Sequence, residues 1–226
     1  MPPRRRTDLW QPLPPAIDDQ PGSAAASAGG GRRVVRGTVD DLAAAVSELD
    51  PDAGGLTGTT VESIVLAGAR VLGGRVTGLR LRDMVADQAV LAGIVLDGGG
   101  ATRVRATGGR VSGTVWIRGE LNDVVFDQVR ADGLALRACL LRRARFVNCD
   151  LSGLDMTDTR LDHVRFEDCD LSSAIFTGTQ IAAAQLRGCR FDGVVGADGL
   201  AGAEVDSSDL ASLAGPMAAA LGISVV

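Results

Sequence analysis

The stretch "FVNCDLSGLDMTDTRLDHVRFEDCDL", from Phe146 to Leu171, nearly repeats its own opening. "FVNCDL" returns as "FEDCDL" twenty residues later. Between Phe146 and Phe166 an apolar residue falls on every fifth position, at Leu151, Met156 and Leu161. Stepping by five from Leu56 to Phe191 gives 28 positions, all Ala, Val, Leu, Ile, Met, Phe or Trp. A second phase, two residues earlier, runs from Gly54 to Cys189 and holds only Gly, Ala, Thr, Cys or larger aliphatic residues. All 33 charged residues between 54 and 195 lie on the other three phases.

No helix produces this pattern, because five residues advance a helix by about 500° and scatter the apolar positions around it. A flat strand fails too, since an odd step flips the side chain to the opposite face. A chain that turns a corner every five residues satisfies it. Each side then points its centre residue inward, together with the residue two before it. Four sides close one coil of twenty residues, so residues twenty apart stack. Phe126, Phe146, Phe166 and Leu186 make one column; Leu96, Trp116, Leu136, Met156 and Phe176 make another; Cys149, Cys169 and Cys189 make a third.

These residues resemble a known family. "CDLSG LDMTD TRLDH VRFED CDLSS AIFTG" is similar to the pentapeptide-repeat proteins, whose unit is a small residue, Asp or Asn, Leu or Phe, then two polar residues. The likeness covers residues 54–195 and is most faithful over 120–192. It implies an all-β solenoid, a right-handed quadrilateral parallel β-helix. At about 4.8 Å per coil, 28 sides make seven coils and a rod roughly 34 Å long. Such a rod needs capped ends, because open coils expose apolar surface and unpaired backbone.

The flanks supply candidate caps. "TVDDLAAAVSELDP" predicts a helix over 38–53, N-capped by Thr38 or Asp40, with Leu42, Val46 and Leu49 on one face. After 195 the phase slips by one, placing Leu200 and Val205 in a new register. "SSDLASLAGPMAAALG" predicts one helix, or two broken at Gly215–Pro216, within a C-terminal cap spanning 196–226. Leu210, Leu213, Met217 and Leu221 share its face, which can cap the last coil or meet a second chain. Residues 1–37 carry six Pro and "GSAAASAGGG", a composition that predicts a disordered tail, with Trp10, Leu13 and Ile17 as possible anchors.

The 226 residues include 46% apolar residues but only seven Phe and Trp, so the core is built from small and aliphatic side chains. No run of about 18 uncharged apolar residues occurs, so no membrane-spanning helix is expected. "RRRTDLW" is followed by "QPLPPAIDDQPG", which is no apolar signal core. The chain is therefore expected in the cytoplasm, where thiols stay reduced.

The sequence points to no enzyme, cofactor or metal. All four Cys sit in the inward small-residue phase without a CxxC, which reads as buried packing. His163 is on an outward phase with no pocket implied. "LDGGGATRVRATGGRVSG" lacks the GxxxxGK[ST] spacing of a phosphate loop. Gly99 and Gly109 take inward small positions there, and the weak repeat chemistry predicts a looser coil over 98–113.

Function is thus expected on the surface, as a scaffold for protein–protein interaction. The family resemblance also implies an alternative, the fluoroquinolone-resistance type, in which an acidic rod mimics DNA and binds DNA gyrase or topoisomerase IV. Those relatives dimerise through their C-terminal ends, which makes the Leu210 face a candidate homodimer contact. Residues 54–195 hold 16 acids and 17 Arg, so the rod is not acidic as a whole. Residues 54–119 come to +4 and residues 120–195 to −3. The candidate acidic face comprises Asp150, Asp155, Asp158, Asp162, Glu167, Asp168 and Asp170. The chain's net charge of −5 argues against direct nucleic-acid binding.

Overall fold

A side of five residues needs a sharp turn, and the backbone supplies it at a fixed phase. The computed structural model describes residues 10–16, 27–29, 32–37, 58 and 60–224. Two residues after each apolar centre the chain enters the left-handed region. From Gly58 to Gly193 there are 28 such positions, and 27 have φ between 50° and 71°. Thirteen of these are Gly, which adopts that region freely. The rest include Asp83, Asp123, Asn148, Asp158 and Asp168, side chains that tolerate it better than most. For other L-residues the turn costs roughly 1–2 kcal/mol, which the stacked coils must offset. The exception is Ala183, where the pairing with the preceding coil shifts register between Leu161 and Val164.

The first two strands are β1 (Ser27–Gly29) and β2 (Arg32–Gly37), paired antiparallel. The coils follow with β3 (Thr60–Ala67), β4 (Arg70–Leu72), β5 (Arg75–Thr77), β6 (Arg80–Asp87), β7 (Val90–Ala92) and β8 (Val95–Asp97). Next come β9 (Gly100–Thr107), β10 (Val115–Ile117), β11 (Glu120–Asp127), β12 (Ala135–Arg137), β13 (Leu140–Val147), β14 (Arg160–Glu167), β15 (Gln180–Arg187) and β16 (Ala203–Val205). One helix, α1 (Leu210–Ala220), ends the described chain.

Each eight-residue strand spans two sides and the corner between them. Seven of these, β3, β6, β9, β11, β13, β14 and β15, stack in parallel as seven turns of an all-β solenoid. Register is twenty residues: Arg82 faces Thr102, and Phe126 faces Phe146. The third side stacks through β4, β7 and single bridges from Arg110 to Arg190. The fourth stacks through β5, β8, β10 and β12.

The core is the two inward phases. Phe146, Phe166, Phe176 and Phe191 are fully buried. Phe126, Phe146 and Phe166 stack face to face at 5.2 and 5.0 Å. In the Gly-rich coils the backbone register holds, and the expected looseness lies inside. An apolar cavity of about 90 Å³ is lined by Met84, Ala86, Ala101, Ala106, Trp116 and Phe126, among others. A Cβ at Gly109 would overlap the Ala89 carbonyl oxygen, so this inward position admits no larger residue without a backbone shift.

At the C-terminal end the predicted slip is present: β16 pairs with β15 at a spacing of nineteen, Ala203 beside Ala184. The helix runs through Gly215–Pro216 unbroken. Pro216 merely lacks the N–H that would reach the Ser212 carbonyl. The N-terminal helix expected over 38–53 lies outside the described residues. The tail expected to be disordered over 1–37 is corrected in its described parts. β2 pairs in parallel with β3 and covers the first coil's open edge, while residues 10–16 lie against the solenoid. Low apolar content predicts that a segment cannot build its own core; it says nothing about pairing with an edge already built.

Candidate interaction surface

Because residues twenty apart stack, each outward phase becomes a row along the rod. The corner within the eight-residue strands carries Ser63, Asp83, Arg103, Asp123, Arg143 and His163 in successive coils. Opposite charges alternate, and they pair by twos. Arg103 donates from Nε to Asp83 Oδ1 at 2.5 Å and from Nη2 to Oδ2 at 2.6 Å. Arg143 repeats the arrangement on Asp123, at 2.7 and 2.8 Å. Such two-point pairs are stronger than single contacts. Asp83 and Asp123 are buried, and the Arg103 hydrogen bonds hold the Asp83 carboxyl below its ordinary range despite the opposing effect of burial. This ladder escaped the sequence reading. Its signal, the corner phase taken in steps of twenty, was present.

The seven candidate acids do not share a face. From Asp150 to Asp170 the chain travels one full coil, so consecutive acids pass round the rod. Asp150 and Asp170 come together, bridged on the third side. Each accepts from the Ser two residues on, and Asp170 also lies 3.4 Å from Arg190 Nη1. Asp155 is on the fourth side and buried, accepting from Thr157 and from Arg137 Nε at 2.6 Å. Asp162 is on the first side beside His163 Nδ1, 2.6 Å away. Glu167 is on the second, paired with Arg145. Asp158 and Asp168 are exposed, on two different corners.

Residues 119–195 match the family model described as pentapeptide repeat region. This stretch is a pentapeptide-repeat region. Its register continues back to β3 without interruption. No curated protein matches the chain. Among solved structures, a trypsin-treated variant of QnrB1, a plasmid-mediated fluoroquinolone resistance protein, is 17% identical, with 74% of this chain and 88% of that one covered, at a TM-score of 0.31. HetL, a pentapeptide-repeat protein involved in heterocyst differentiation regulation in the cyanobacterium Nostoc, is 16% identical over 66% and 79%, at 0.29. Rfr23, a pentapeptide-repeat protein of the cyanobacterium Cyanothece, is 12% identical over 63% and 88%, at 0.27.

Within this pentapeptide-repeat region the four Cys are free and buried. Cys139 and Cys189 donate to the carbonyls of Trp116 and Phe166, and burial pushes both thiols up to about 11. They are inert packing at neutral pH. At the C-terminal cap only Leu213 of the predicted face enters the core. Leu210, Met217 and Leu221 remain 52%, 40% and 72% exposed. Among the described residues no helix is long and apolar enough to cross a membrane.

The fourth side differs from the others in its outward row. Val95, Val115, Ala135, Asp155, Ile175 and Val195 stack one above another. Five of the six are aliphatic, and the Asp155 carboxylate is taken up by Thr157 and Arg137. The neighbouring corner is Gly93, Gly113, Gly133 and Gly153, so no side chain overhangs the row there.

Proposed function

We propose that this chain is a non-enzymatic scaffold that binds a protein partner through its rod surface. The observation that carries the proposal is the aliphatic row of the fourth side. Side chains fill the coils, and the cavity inside them is lined by apolar residues alone, offering no polar group for chemistry. Aliphatic residues at five of the six positions of this row, half-buried or exposed except for Ala135, suit protein contact on a flat sheet. The alternative, a DNA mimic bound by gyrase or topoisomerase IV, requires a continuous acidic row. The candidate acids, spread over four sides and repeatedly neutralised by Arg, favour the scaffold. A reducing compartment, the cytoplasm, suits the four free thiols.

Val115→Arg with Ile175→Arg tests the reading. Arg already occupies this phase at Arg75, so the coil accommodates it. A host protein retained by the wild-type rod and lost by the double variant, with unchanged circular dichroism, is the expected result. Inhibition of host gyrase supercoiling at low micromolar rod, undiminished in the variant, would overturn it. We also propose that the C-terminal end pairs two chains, because Leu213 alone serves the cap and Leu210, Met217 and Leu221 stay open. Light scattering should give a dimer that Met217→Asp with Leu221→Asp converts to a monomer; a wild-type monomer refutes the pairing.

A further inference from the structure

Residues Trp10–Ala16, "WQPLPPA", lie along the Asp–Arg ladder and span five coils, from corner 163 to corner 83. The Leu13 N–H donates to Asp123 Oδ1 at 3.0 Å, and the Ala16 N–H donates to Asp83 Oδ1 at 2.8 Å. Three residues earlier, Trp10 meets His163 edge-on at 5.0 Å and lies under the Arg165 guanidinium at 5.0 Å. So every third residue of the segment meets every second coil, at corner positions 163, 123 and 83.

The match has a physical basis. Pro12, Pro14 and Pro15 fix φ near −65° and favour the polyproline II form. That form advances about 9.3 Å in three residues. Two coils advance about 9.6 Å. Gln11, Pro14 and Ala16 face solvent, while Trp10, Pro12, Leu13 and Pro15 are half-buried, so Ala16 is anchored by its main-chain N–H and not by its side chain. On the rod the two anchor points are built alike. Each Asp is buried, is held by two bonds from the Arg one coil later, and presents Oδ1 to a main-chain N–H.

We propose that the ladder of Asp83, Arg103, Asp123 and Arg143, with His163 and Arg165 at its end, is a docking track for proline-rich extended segments. Trp10–Ala16 is its resident ligand in cis. Recognition is by main chain and spacing: an aromatic residue at the first position, non-proline N–H donors at the fourth and seventh, and prolines between them. A partner protein carrying that pattern reaches the track by displacing the strap, which a tethered segment resists through its high effective concentration. The inference rests on the rod being a binding surface, but it concerns a corner distinct from the fourth-side row.

The full-length protein tests it. In wild type the Leu13 and Ala16 amides should exchange with solvent at least tenfold more slowly than the same amides in a free peptide of residues 8–18. Leu13→Pro with Ala16→Pro keeps the extended form and removes both donors, far from the core. That variant should bind the labelled wild-type peptide in trans, and the wild-type protein should bind it at least tenfold more weakly. A peptide carrying both prolines should bind neither. Free-chain exchange at Leu13 and Ala16, or no peptide binding to the double-proline variant, overturns the proposal. Either failure leaves the fourth-side test untouched.

Discussion

The two halves of the solenoid share one backbone and differ in what fills it. In the C-terminal coils Phe146, Phe166, Phe176 and Phe191 close the interior completely. In the N-terminal coils Ala86, Ala101 and Ala106 occupy equivalent centres, Gly99 and Gly109 take the second phase, and a cavity of about 90 Å³ remains. Register nonetheless runs at twenty residues through both. Corners, not core volume, therefore dictate the coil. The left-handed residue every fifth position sets the path, and the inward side chains decide how firmly the turns are held together.

The sharpest way to break the comparison is to make the tight half loose. Phe146→Ala removes the middle of a three-ring stack and should destabilise the protein by about 3–5 kcal/mol in denaturant unfolding. Gly109→Ala tests the inward small-residue phase in the loose half. Its φ of 73° and the overlap with the Ala89 carbonyl should cost about 1–3 kcal/mol despite the nearby cavity. Ala106→Leu makes the loose half tighter, by filling the cavity under Phe126, and should raise stability by about 1 kcal/mol. The smallest effect is electrostatic. Arg103 depresses the folded-state Asp83 pKa, so the stability from that pairing is complete above the unfolded value of about 3.9 and is lost as pH falls through the folded one. Wild type should lose more stability than Asp83→Asn between neutral pH and pH ~3.

The sequence makes the solenoid plain because one physical rule, an inward residue every fifth position, acts on 28 sides at once. The slip after 195 and the C-terminal helix are legible for the same reason, as breaks in that rule. The surface is harder. Asp150 through Asp170 look like a cluster when read along the chain, but twenty residues carry them round four sides. The ladder at 83, 103, 123 and 143 looks scattered, although stacking joins its members. For Trp10–Ala16, prolines signal the lack of an internal fold, and the Asp residues that receive its N–H groups are 67 and 110 residues away. Pairings that distant follow from neither propensity nor periodicity.

The alternation of Asp and Arg along the first corner has a consequence for how this rod can change length. A solenoid of identical coils could grow or shrink by any whole coil. Here the corner repeats only every forty residues, because Asp83 and Asp123 answer to one another and Arg103 and Arg143 do likewise. Removing a single coil between them would bring like charges side by side and set an arginine where a main-chain N–H now finds a carboxylate. The strap acts as a ruler graduated in pairs of coils. Duplications or deletions that preserve it must come in units of forty residues.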